Sequence, residues 1–276
     1  MKEQAVAFGR ANGMVGVLTE PDAPTNAPHL LVFNSGFVHR VGPGRLAVDI
    51  ARRVATVGVP TLRFDFSGIG DSAPRVPALD PIACGIADAR EAMDHLGTAH
   101  GARKFVLLGL CSGARHAHHV ALADPRVVGA VLLDGYAFPT VRSMAMEVRE
   151  RLEEPRALLA GAYRRARRLL DGKQSEAAAP SAFDREGFFP EDVSRLQMAK
   201  DLQTLAARGV GMLNVYSGEW RTYRYEGQLQ AAFPDVPLRS VLTERFIESA
   251  DHLYFTPPER VTMLEILTNW LRQRFV

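Results

Sequence analysis

The chain has 276 residues, 47% hydrophobic and 23% charged, which suits one large α/β domain with an insertion or two small domains. A formal net charge of +2 excludes the strong basic balance of a nucleic-acid binder. No opening apolar run has signal-peptide length and no segment is long enough to span a bilayer, so the expectation is a cytoplasmic protein with no membrane association.

In chain order, AVAFG and MVGVLTE, joined around Asn12-Gly13, read as a β-hairpin. HLLVFN (29–34) is a short apolar run typical of a strand buried on both faces. A glycine-rich loop follows, then LAVDIARRVATVG (46–58) with helical periodicity, then the strand PTLRFDF (60–66) ending in SGIGDS. Ile82, Ile86, Ala89 and Met93 are spaced for a helix over 81–96. KFVLLGL (104–110) is a strand, 112–123 a helix and VVGAVLLD (127–134) a strand. The alternation breaks between about 137 and 207, in a helical stretch rich in Arg and Glu. It resumes with GVGMLNVYS (209–217) and LRSVLTERFI (238–247) and closes on an amphipathic helix. This order predicts an α/β fold with a mostly parallel central sheet covered by helices on both faces. Residues 1–136 and 208–276 would form the core, and 137–207 an inserted helical cap.

The most informative stretch is GLCSGA, residues 109–114. An apolar strand runs straight into a helix there, and so abrupt a reversal forces the turn residue into a strained left-handed backbone. Close approach of strand and helix requires small residues two positions either side. Gly109 and Gly113 meet that requirement around Cys111; around Ser112 the positions hold Leu110 and Ala114. The spacing selects Cys111 as a nucleophile and leaves Ser112 to supply a backbone N–H for an oxyanion. The chemistry suits a thiol, whose pKa falls at a helix N-terminus or beside a histidine.

HLLVFNSGF, LRFDFSGIGDS, GLCSGA and SADHLYF, in that order, resemble the α/β-hydrolase superfamily over nearly the whole chain. FNSGFVHRVGP with GLCSGA also resembles a bacterial subgroup found beside biosynthetic or exosortase genes. The cysteine is similar to the dienelactone-hydrolase variant and to some acyl-transfer members, where serine is the usual nucleophile. The family order of nucleophile, acid, histidine implies His252 as general base, the only histidine beyond position 119. For the acid, the family position after GMLNVYS implies Glu219, because the usual spacing lands on Arg221; Asp134, ending the preceding strand, is the alternative. The resemblance further implies an oxyanion hole from the N–H groups of Phe37 and Ser112, with Gly36 allowing close approach. His39 and Arg40 would border the substrate mouth. Asp65 and Asp71 read as holding their loop by turn and capping bonds, and Asp251 as bracing the loop of His252.

No metal or cofactor is expected. Cys84 and Cys111 lack metal-ligand spacing, and no carboxylate accompanies His116, His118 and His119 at such spacing. In the cap segment, an apolar stripe over 158–170 opposes Arg164, Arg165, Arg167 and Arg168. That pattern is either a solvated helix face or a dock for an acyl carrier protein or a CoA phosphate. Three functions follow from the sequence: an esterase or thioesterase acting through acyl-Cys111 on a small-molecule acyl substrate; an acyltransferase or cyclase passing the acyl group to an amine, alcohol or thiol; and a non-catalytic ligand-binding protein.

Overall fold

The computed structural model describes residues 1–153 and 193–276. The apolar stripe and the arginine cluster of the expected cap lie outside the described residues.

The elements run β1 (Lys2–Phe8), β2 (Met14–Glu20), β3 (His29–Val32), α1 (Leu46–Ala55), β4 (Thr61–Phe64), α2 (Pro81–His100), β5 (Phe105–Leu110), α3 (Ser112–Ala123), β6 (Val127–Leu133) and α4 (Val141–Glu153). After the undescribed stretch come α5 (Arg195–Ala207), β7 (Gly211–Ser217), α6 (Gln228–Ala232), β8 (Leu242–Ile247) and α7 (Pro257–Phe275). The eight strands form one sheet in the order β1-β2-β4-β3-β5-β6-β7-β8. β1 pairs antiparallel with β2, and β2 antiparallel with β4; every other pairing is parallel. The α/β expectation therefore holds.

The central strands are buried on both faces. In β5, Phe105 and Leu107 enter the core cluster under α2, α3 and α5, while Val106, Leu108 and Leu110 enter the one under α1 and α7. That double burial explains why the strand reads as an unbroken apolar run. Leu107 is wholly buried in the middle of this sandwich. Leu107→Ala should therefore destabilise the fold by about 3 kcal/mol, read as a lower denaturant midpoint with an unchanged m-value.

Several element ends differ from the sequence expectation for local reasons. α2 runs on to His100, where Gly101 takes φ 69° and its N–H and that of Ala102 bond back to Gly97 and Leu96; an αL glycine stops this helix, and the loss of apolar periodicity after Leu96 does not. β4 ends at Phe64: the Asp65 N–H still donates to Val15 of β2, but the Phe66 N–H turns to the Asn34 side chain. β8 starts only at Leu242, since Leu238 to Val241 form a turn in which the Leu238 carbonyl accepts from Val241 and Leu242. Arg195–Ala207, expected in the cap, packs into the core through Met198, Leu202 and Leu205. A buried His118–Asp201 contact of 2.9 Å ties this helix to α3. The core therefore begins well before residue 208 on the C-terminal side. Among the described residues, no helix is long and apolar enough to cross a membrane.

Candidate active site

β5 enters α3 through Cys111, whose φ of 56° and ψ of −119° lie where a side-chain-bearing residue is strained by about 1–3 kcal/mol. The glycines around it have steric work to do. A Cβ on Gly109 would lie 2.0 Å from the Gly113 carbonyl carbon, and one on Gly113 would lie 2.5 Å from the Asn34 carbonyl oxygen. The Cys111 N–H donates to the Leu133 carbonyl at 2.9 Å, which fixes the turn to β6. Ser112 opens α3, so its N–H belongs to the first turn, which has no carbonyl of its own helix to bond.

The histidine arrives from the loop after β8. Asp251 shapes that loop, its carboxylate accepting from the N–H groups of Leu253, Phe255 and Thr256. The His252 Nδ1 stands 2.7 Å from Asp134 Oδ2. Asp134 follows β6 at φ 47°, is fully buried, and accepts two further bonds from Ser217 at the end of β7, from N–H at 2.7 Å and from Oγ at 2.6 Å. Glu219, the first choice for the acid, meets the same histidine at its main chain, Oε2 accepting the His252 N–H at 3.0 Å. Of the two carboxylates left open by the sequence, Asp134 is the one placed against the ring nitrogen. Burial opposes a charge on the imidazole, but its hydrogen bonds to Asp134 and Cys111, with their negative charge, prevail and raise its pKa to about 9.

The loop after β3 closes over the turn. Gly36 has φ 55°, a left-handed backbone open to glycine, and its N–H donates to Ser112 Oγ at 2.7 Å. Phe37 follows, with its side chain 85% exposed. The Asn34 side chain holds the loop's base, donating to the Val38 carbonyl and to Asp65 Oδ1 and accepting from the Phe66 N–H. Fully buried Asp65 also takes the Arg40 N–H and guanidinium, both at 2.5 Å. Asp71 pairs with the same guanidinium at 2.7 Å. Arg40 is thus clasped between two carboxylates, and its charge is spent on the loop. With His39 and Ser35 it borders a small cleft floored by Leu46 and Ile50 of α1.

A family model described as alpha/beta hydrolase family matches residues 30–268. The chain belongs to the alpha/beta hydrolase family. As an alpha/beta hydrolase it is an enzyme of hydrolase type, and solved structures share its fold. It is similar to an alpha-beta serine hydrolase homologue from Coxiella burnetii, at 14% identity over 98% of this chain and 97% of that one, with a TM-score of 0.59. It is similar to dienelactone hydrolase from Anabaena variabilis, at 15% identity over the whole of both chains and a TM-score of 0.56. A third similar structure is DcsB in complex with its substrate analogue, at 17% identity over 99% of each chain and a TM-score of 0.58. At these identities the likeness is one of fold. Among curated proteins, no sequence matches the chain.

Within this alpha/beta hydrolase, four contacts that sequence reading missed hold the site together. They are the Ser112 hydroxyl on Gly36, the Ser217 clasp on Asp134, the Asn34 amide under the loop after β3, and Trp220 stacked on His252 with ring centroids 5.4 Å apart. Of these residues, only Asn34 carried a signal, as a polar residue ending an apolar run. Asp65→Ala leaves the Arg40 guanidinium, on a half-buried residue, paired only with the exposed Asp71. It should lower stability by about 2 kcal/mol and kcat by about tenfold, through a loosened loop after β3, in paired melting and rate measurements.

Proposed function

We propose that the chain is a cysteine-dependent acyl hydrolase of ester or thioester substrates, with Cys111 as nucleophile, His252 as general base and acid, and Asp134 orienting the ring. What supports it is the line of Asp134, His252 and Cys111, which follow β6, β8 and β5 of one sheet, with the cysteine in a strained turn at a helix N-terminus. His252 takes the thiol proton, and the thiolate attacks the acyl carbon. The tetrahedral oxyanion lies toward the N–H groups of Ser112 and Phe37. Collapse breaks the bond to the alkoxide or thiolate leaving group, which receives the proton from His252. Water then attacks acyl-Cys111 as His252 takes its proton, and the acid departs with the free thiol restored. Asp134 fixes which ring nitrogen faces Cys111. Glu219 serves the loop.

A thioester acyl-enzyme also reacts readily with amines and thiols, so transfer to such an acceptor is the alternative outcome of the second step. Delivery of the acyl group on a carrier protein or CoA belongs to the same proposal. The deciding experiment is intact-mass spectrometry after mixing with a slow acyl donor. One acyl mass should add to the chain, map to Cys111 and decay with turnover. Product partition with added amine or alcohol then separates hydrolysis from transfer. A binding protein without turnover would give no adduct, and that result would remove the proposal.

A further inference from the structure

The four residues that leave β7, Ser217-Gly218-Glu219-Trp220, reach both partners of the cysteine. Ser217 holds the Asp134 carboxylate through its N–H and Oγ. Gly218 lets the chain pass against β8: its N–H donates to the Ile247 carbonyl, and a Cβ there would lie 1.8 Å from the Glu248 carbonyl oxygen. Glu219 accepts the His252 main-chain N–H. The Trp220 N–H closes the turn on the Ser217 carbonyl at 3.1 Å, which brings the indole over the imidazole with the planes 11° apart.

We propose that Trp220 is a positioning residue for the reaction, its indole fixing the plane of the His252 ring and stabilising the ring's protonated form. An indole face is the strongest aromatic partner for a cation, and near-parallel stacking at this distance puts the imidazolium within its reach. The titratable groups that meet the ring itself are Asp134, from the end of β6, and Cys111, from the turn into α3. Glu219 is engaged at the main chain and Asp251 by the amides that follow it. Two attachments alone, Nδ1 to Asp134 and the opposite edge to Cys111, leave the ring free to swing about the line joining them. A flat neighbour on one face removes that freedom. Because the ring must deliver a proton first to the leaving group and then take one from water, its plane matters in both steps.

The inference rests on the proposed roles of Cys111 and His252, and the test separates the two. Trp220→Leu and Trp220→Phe are compared with the unaltered protein by NMR titration of the His252 ring, assigned with His252→Gln, and by the pH profile of kcat and KM. The leucine variant should lower kcat about tenfold with KM within about twofold. It should also move the ring titration, and the alkaline limb of kcat, to lower pH by about half a pH unit. Phenylalanine, which keeps a ring face, should recover most of both. A residue that merely fills space would lower the melting temperature and leave the titration where it was. An unmoved titration in the leucine variant, or a phenylalanine variant that melts like the unaltered protein yet behaves as leucine does, overturns the inference. Since the titration reads His252 whether or not the protein turns over, loss of the acyl adduct on Cys111 would sink the proposed function without touching this result.

Discussion

With Cys111 as the proposed nucleophile, Cys111→Ala is expected to lower acyl hydrolysis by about 10,000-fold while the rest of the site is left intact. The fold should survive it. The side chain contributes one sulfur at the edge of the core, and alanine leaves the turn's backbone strain as it is, because it carries the same Cβ at φ 56°. Circular dichroism and melting should therefore match the unaltered protein while the rate collapses and the acyl adduct disappears. Cys111→Ser is the sharper comparison. The hydroxyl fits the same turn but depends wholly on His252 to deprotonate it in concert with attack, so a loss of about 100-fold is expected, with a measurable adduct. An alanine variant keeping a tenth or more of the rate would exclude Cys111 from the chemistry.

Asp134→Asn is expected to lower kcat by about 100-fold, less than the loss of about 10,000-fold seen when the same change is made in a serine triad, because a thiolate–imidazolium pair leans less on its third member. Glu219→Gln keeps an oxygen for the His252 N–H and should change kcat by less than about threefold. This contrast tests which carboxylate serves the ring. The pH dependence follows from the same contact. The pKa of His252 stands at about 9, against 6.5 for the free side chain, so the protonated ring is the form the folded site favours. Proton delivery to the leaving group therefore persists through neutral pH, and the rate should fall as pH rises through about 9. In the asparagine variant that limb should move to lower pH. The stability consequence has a matching sign: protonated His252 contributes its full share below about pH 6.5, and the share is lost as pH rises through about 9. The melting difference between the unaltered protein and His252→Gln should narrow across that window.

The parts of this molecule that were legible in its sequence are those set by contacts a few residues apart or by strand burial. The turn at Cys111 is legible because the conflict avoided at Gly109 is with the Gly113 main chain four residues on. The doubly buried strand β5 is legible because both its faces are apolar, and the parallel sheet because strands and helices alternate. His252 stood out because it is the only histidine late in the chain. Which carboxylate meets the imidazole was not legible. Asp134 and Glu219 follow adjacent parallel strands, β6 and β7, at similar distances from the loop after β8, and sequence spacing does not distinguish them. What decides is the Ser217 clasp that aims Asp134 at the ring, together with the turn that carries Glu219 to the histidine's main chain. Arg40, expected at the substrate mouth, is held by Asp65, 25 positions on. Ser112 Oγ meets Gly36 across 76 residues, and Trp220 meets His252 across the gap between two strands. Such contacts depend on strand order and on how each loop leaves its strand. Local spacing in the sequence determined where the strained turn at Cys111 lies; only the packed sheet decided which groups surround it, because those groups are neighbours in space through strands that are distant in the chain.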